Sequence, residues 1–129
     1  MIKHTLIVFE TGGYVYGAAL EFLPPKIKKG CLCLINLGEV AYIIERRYGQ
    51  SRMNEFLMTL NLTPIKVAEV TYSRVLEAAH IKAGHSISEA SAFAVSLANE
   101  LGATILTGDP EFKKVEGIAK IEWMETRTS

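Results

Sequence analysis

The chain has 129 residues, the length of one domain, and 49% of them are apolar, which supports a packed core and excludes disorder along the whole chain. Fourteen Lys and Arg balance fourteen Asp and Glu, so bulk positive charge cannot coat nucleic acid and any such contact has to be local. Thirteen of the acids are Glu, and the single Asp is Asp109. Cys31 and Cys33 share an apolar run, poorly placed to bridge each other, and read as reduced core residues. With three scattered His and no second Cys pair, neither a disulfide framework nor a structural zinc site can be assembled. The apolar stretch Leu6–Phe9 is too short for a signal segment or a membrane span, so the expected location is the cytoplasm.

Leu6-Ile7-Val8-Phe9 is apolar without alternation, which predicts a strand covered on both faces. It stops at Glu10-Thr11-Gly12-Gly13. Val15, Ala18, Ala19 and Phe22 then recur at helical spacing until Pro24-Pro25 forbids continuation. Cys31 to Ile35 predicts a second strand, and Asn36 opens a helix with Leu37, Val40, Ala41, Ile44 and Tyr48 inward and Gly49 as its stop. A further helix carries Met53, Phe56, Leu57 and Leu60, followed by a third strand over Ile65 to Val70. Tyr72, Val75, Leu76 and Ala79 predict the inward face of the next helix. Ser86 to Ser88 start the strongest helical pattern, with Ala90, Phe93, Ala94, Leu97, Ala98 and Leu101 on one face and Gly102 at the end. Strands follow at Ala103 to Thr107 and Ile118 to Trp123, around a short helix through Phe112. Strands alternating with helices predict a single α/β domain over residues 1–129: a three-layer αβα sandwich with a mainly parallel sheet of four to five strands.

In open α/β sheets the working crevice lies beyond the carboxyl ends of the strands. Glu10 ends the first strand, Glu39 follows the second, and Asp109 follows the fourth. Three acids gathered at one edge repel one another unless a cation offsets their charge. Oxygen donors without Cys or organised His select Mg²⁺ or Mn²⁺, and such a site favours attack of a metal-activated water on a phosphodiester. Each acid also has a plainer reading. Asn36 to Glu39 has the form of a capping box, and Asp109-Pro110 that of an N-cap with proline at N1. His80 and His85 flank a turn and are read as partners of helix-terminal carbonyls rather than as general bases. Lys26, Lys28, Lys29, Arg46 and Arg47 are read as solvated, and Tyr14, Tyr16, Phe56, Tyr72 and Trp123 as mostly core.

Three stretches resemble the PIN domains, in particular the VapC-like ribonuclease toxins of toxin–antitoxin pairs: Ile35-Asn36-Leu37-Gly38-Glu39-Val40, Ser86 through Ala94, and Thr107-Gly108-Asp109-Pro110-Glu111-Phe112. The similarity runs from about Cys31 to Trp123. It implies Mg²⁺- or Mn²⁺-dependent cleavage of RNA, a homodimer and a small antitoxin partner. Glu39 and Asp109 match two of the family's acids. Glu10-Thr11 stands where the family has Asp-Thr or Asp-Ser, and Ser91 stands where it has Asp. Glu89 cannot replace Ser91, since two residues on a helix turn the side chain by roughly 200°. The resemblance therefore implies Glu10, Glu39 and Asp109 as catalytic metal ligands, with Ser91 and Thr11 in support. A degenerate PIN-like domain that acts by dimerising or binding an antitoxin is the alternative. A phosphatase-like hydrolase fits less well, because it would want an Asp nucleophile where Glu10 stands.

Overall fold

A short run that is apolar at every position can be buried only if both faces of its strand are covered, and the centre of this molecule is built that way. The structure is a computed structural model and describes residues 7–9 and 30–123. Strands β1 (Ile7–Phe9), β2 (Gly30–Cys33), β3 (Ile65–Ala68), β4 (Thr104–Thr107) and β5 (Lys120–Trp123) form one sheet in the order β3-β2-β1-β4-β5, with every neighbouring pair parallel. Register aligns Cys31, Val8, Ile105 and Ile121 in one row and Leu32, Phe9 and Leu106 in the next. Along β2 and β4 successive side chains face opposite sides of the sheet. Glu10, Thr11, the expected Val15 to Phe22 helix and Lys26, Lys28 and Lys29 lie outside the described residues, as do Tyr14 and Tyr16.

The two faces carry separate cores. On one side Leu32, Leu106 and Ile65 meet Val40 of helix α1 (Leu34–Tyr48) and Phe56 and Leu60 of helix α2 (Gln50–Asn61). On the other, Cys31, Cys33 and Ile105 meet helix α3 (Tyr72–Gly84), helix α4 (Glu89–Leu101) and Phe112 of a short 3₁₀ helix (Pro110–Val115). This is the expected αβα sandwich, with all five strands parallel. Both cysteines are free, and burial pushes their thiols up, which keeps them protonated core residues. Among the described residues no helix is long and apolar enough to cross a membrane.

α4 ends as its sequence predicts. Gly102 takes the left-handed conformation at φ 64°, and the following Ala103 N–H reaches back to the Ala98 carbonyl at 2.8 Å. α3 does not follow its apolar pattern. Tyr72, Val75, Leu76 and Ala79, expected inward, are exposed, and the face that packs on α4 carries Ala78 and Ile81. Tyr48 and Trp123 likewise lie at the surface, where Trp123 Nε1 donates to Glu116. β3 stops at Ala68, short of Val70, and β5 begins at Lys120.

Candidate active site at the carboxyl edge of the sheet

α1 begins directly after β2, with no loop between them. Its N-cap is Cys33, with no side-chain cap bond, so the capping box expected of Asn36 and Glu39 is absent. Asn36 lies inside the first turn and is almost completely buried. Its Nδ2 donates to the Ala90 carbonyl at 3.2 Å, tying the start of α1 to the start of α4. A buried amide needs such a partner. Glu39 sits three residues on from Asn36, on a neighbouring part of the same helical surface, and is exposed.

The start of α4 is a polar knot. Ser88 is the N-cap, and its Oγ accepts the Ser91 N–H at 3.2 Å. Glu111, reaching over from the 3₁₀ helix, accepts from the Ser88 N–H at 2.9 Å, from Ser88 Oγ at 3.1 Å and from Ser91 Oγ at 2.6 Å. Partial burial pushes the Glu111 carboxyl up, but the bonds donated by Ser91 and Ser88, with Lys114 nearby, outweigh it and hold the group below its ordinary range. Asp109 caps the 3₁₀ helix as its sequence predicts. Its Oδ1 accepts the Glu111 N–H at 2.9 Å, Pro110 opens the helix, and its own N–H donates to Thr107 Oγ1 at 3.0 Å.

The structure thus links Ser91 to Asp109 through Glu111 and sets the start of α1, which carries Glu39, against the start of α4. Glu10 and Thr11 lie outside the described residues. Among the described residues no three His, Cys, Asp or Glu side chains gather closely enough to hold a metal by themselves. The donors at this edge are carboxylate and hydroxyl oxygens, and among the described residues only Oδ1 of the Asp109 carboxylate is engaged in the cap. That donor chemistry fits Mg²⁺ or Mn²⁺, which bind through one or two carboxylates and keep several waters. The sequence offers Asn36 only as a helix-start residue and Glu111 only as part of a motif. Both act over long sequence separations, and nothing in their local spacing signals their partners.

Other groups stay structural. His85 Nδ1 lies 3.0 Å from the Ile81 carbonyl, as expected of a histidine beside a helix end. Arg46 and Arg47 are exposed. Two open depressions, one beside His80, His85 and Asn99 and the other beside Gly102, Glu116 and Lys120, include none of Glu39, Ser91 or Asp109.

The family model described as PIN domain matches residues 16–118. Among solved structures the chain is similar to VapC20 of Mycobacterium tuberculosis, described as a sarcin-ricin loop cleaving toxin. The two are 18% identical, the match covers 90% of this chain and 98% of that one, and the TM-score is 0.75. It is also similar to a chain of DNA-bound VapBC from Salmonella typhimurium, with 16% identity, 92% and 97% coverage and a TM-score of 0.72. A chain of a toxin–antitoxin complex from Klebsiella pneumoniae matches with 17% identity, 90% and 95% coverage and a TM-score of 0.63. No curated protein matches. At these identities the structural likeness establishes the fold.

Proposed function

Since this chain belongs to the PIN domain family, we propose that it is a metal-dependent endoribonuclease of toxin–antitoxin type, cleaving RNA phosphodiesters at the carboxyl edge of its sheet in the cytoplasm. The observation that carries the reading is the hydrogen-bonded linkage of Asp109, Glu111 and Ser91, with the Asn36 bond holding the Glu39-bearing helix alongside. In this reading Glu10, Glu39 and Asp109 hold Mg²⁺ or Mn²⁺, and Ser91 and Thr11 support them. When bound there, such an ion would supply a water of lowered pKa and offset charge on the phosphate. Glu39 and Asp109 would help hold the ion, which would let an anionic strand approach a carboxylate surface. The amino ends of α1 and α4 add a favourable dipole for the same phosphate. The partners are RNA, a second copy of the chain and a small antitoxin protein; the outward apolar side chains Tyr72, Val75 and Leu76 of α3 support a protein partner on that side.

The test is incubation of the purified chain with structured and single-stranded RNA, with and without Mn²⁺, beside Asp109→Asn and Glu39→Gln. Cleavage that needs Mn²⁺ and disappears in both variants is expected. Cleavage that survives both substitutions contradicts the assignment. The uncharged Ser91 favours one second reading, a degenerate domain that acts by binding alone. That reading expects no cleavage by the native chain and cleavage by Ser91→Asp.

A further inference from the structure

Ser91 is almost completely buried, yet its hydroxyl is surrounded by polar partners whose protons can be counted. Ser91 Oγ has one proton, and its shortest contact, 2.6 Å, is to Glu111 Oε2. A hydroxyl that donates to a carboxylate at this distance makes a charge-assisted bond, so the proton is committed there. Ser88 Oγ lies 3.0 Å from Ser91 Oγ and 3.1 Å from Glu111 Oε2, and it too has one proton to divide between them. Ser91 Oγ therefore accepts at most one hydrogen bond from Ser88 and keeps at least one lone pair for a ligand. Glu111 is fixed on the turn that carries Asp109, because its N–H donates to Asp109 Oδ1. A negative charge thus stands one hydrogen bond behind an oxygen that cannot itself ionise.

We propose that Ser91 and Glu111 act as one unit toward the divalent ion: Ser91 presents its oxygen, and Glu111, by holding the Ser91 proton, orients that oxygen and supplies its charge. The proposal rests on the metal-dependent reading above. Glu111 is a positioning residue in it, since it works through Ser91. The plainer role for Glu111 is a strut that clamps the 3₁₀ helix to the start of α4, and the same contacts would serve that role.

Direct Mn²⁺ binding separates the two, measured by electron paramagnetic resonance of the free ion at pH 7, with the thermal midpoint of the metal-free chain read in parallel. Glu111→Gln and Ser91→Ala should each weaken Mn²⁺ binding by about tenfold or more, as loss of a ligand's supporting partner commonly does. The double variant should be no weaker than the weaker single variant, because the two residues form one unit. Moving the charge onto α4 with Ser91→Asp in the Glu111→Gln background should restore affinity to within about threefold of the native chain. A strut predicts a lower thermal midpoint with Mn²⁺ affinity unchanged, and that result overturns the proposal. Should Glu111→Gln fail to fold, unchanged affinity in Ser91→Ala overturns it equally. A native chain that binds no Mn²⁺ overturns the metal-dependent reading and this unit with it. Loss of binding in Asp109→Asn with full binding in Glu111→Gln overturns the unit alone.

Discussion

α4 and α3 pack side by side, each with apolar residues at helical spacing, and they use those residues in opposite ways. α4 is buried without interruption from Ala90 to Ala98, including Ser91 and Ser96. α3 buries Ala78 and Ile81 and leaves Tyr72, Val75 and Leu76 to solvent, Tyr72 at 81% exposure. The difference lies in where each helix sits. α4 is enclosed by the sheet, α1 and α3, whereas α3 forms the outer layer over α4. A helix surrounded by protein needs apolar or satisfied polar residues on every side, and a covering helix needs only one small-residue face. The candidate site grows from the enclosed helix: Ser88 and Ser91 stand at its start, held by neighbours on either side.

The largest expected effect follows from that enclosure. Phe93→Ala should lower unfolding free energy by about 3–5 kcal/mol in urea titrations, because the ring is almost fully enclosed and its cavity cannot collapse. A cost below about 1 kcal/mol would contradict the enclosure. Next comes the cap. Ser88→Ala removes the side-chain bond to the Ser91 N–H and one donor to Glu111, and should cost about 1–2 kcal/mol by the same titration. If the substitution proves neutral, the polar knot does not stabilise the start of α4.

A smaller effect tests how the two helices are joined. Arg74 near the start of α3 grips Glu100 near the end of α4 through Nε to Oε1 at 3.0 Å and Nη2 to Oε2 at 2.9 Å. The Arg74 bond holds the Glu100 carboxyl below its usual range despite some desolvation. The folded group therefore releases its proton more readily than the unfolded one, so its contribution is present at neutral pH and is lost as pH falls below the ordinary value near 4.5. Because the pair is partly solvated, Glu100→Gln should cost less than about 1 kcal/mol at pH 7, and the gap to the native chain should narrow as pH falls below the ordinary carboxylate range. A gap that widens on acidification would be inconsistent with the pairing. The smallest effect belongs to the outer stripe: Tyr72→Ala should change monomer stability by no more than about 0.5 kcal/mol. A loss comparable to that of Phe93→Ala would mean that α3 buries the opposite face.

The contrast between the helices also marks how far the sequence could be read. β2 was legible from its apolar run, β4 as a short β-branched stretch between Gly102 and Gly108, and α4 through its Ser88 start and Gly102 stop, because these signals are local backbone and burial requirements. Asp109 with Pro110 was legible for the same reason. The face of α3 was not. Its apolar residues do form a stripe, but periodicity identifies a stripe without saying whether the protein or the solvent lies against it. Asn36 suits a helix cap, but its amide instead crosses to Ala90, 54 positions away. The role of Glu111 is hidden for the same kind of reason, since its partners Ser88 and Ser91 are brought to it only by the fold. Glu10 and Thr11 lie outside the described residues.

Where a divalent ion meets this chain decides whether the carboxyl edge of the sheet is the active site. Paramagnetic broadening of backbone amide signals by substoichiometric Mn²⁺ reports that position directly. The expected result is broadening centred on Glu39, Ser91 and Asp109, with the signals of Tyr72, Val75 and Leu76 on α3 retained. Broadening centred on α3 or on the His80 and His85 turn, or none at millimolar Mn²⁺, would contradict it.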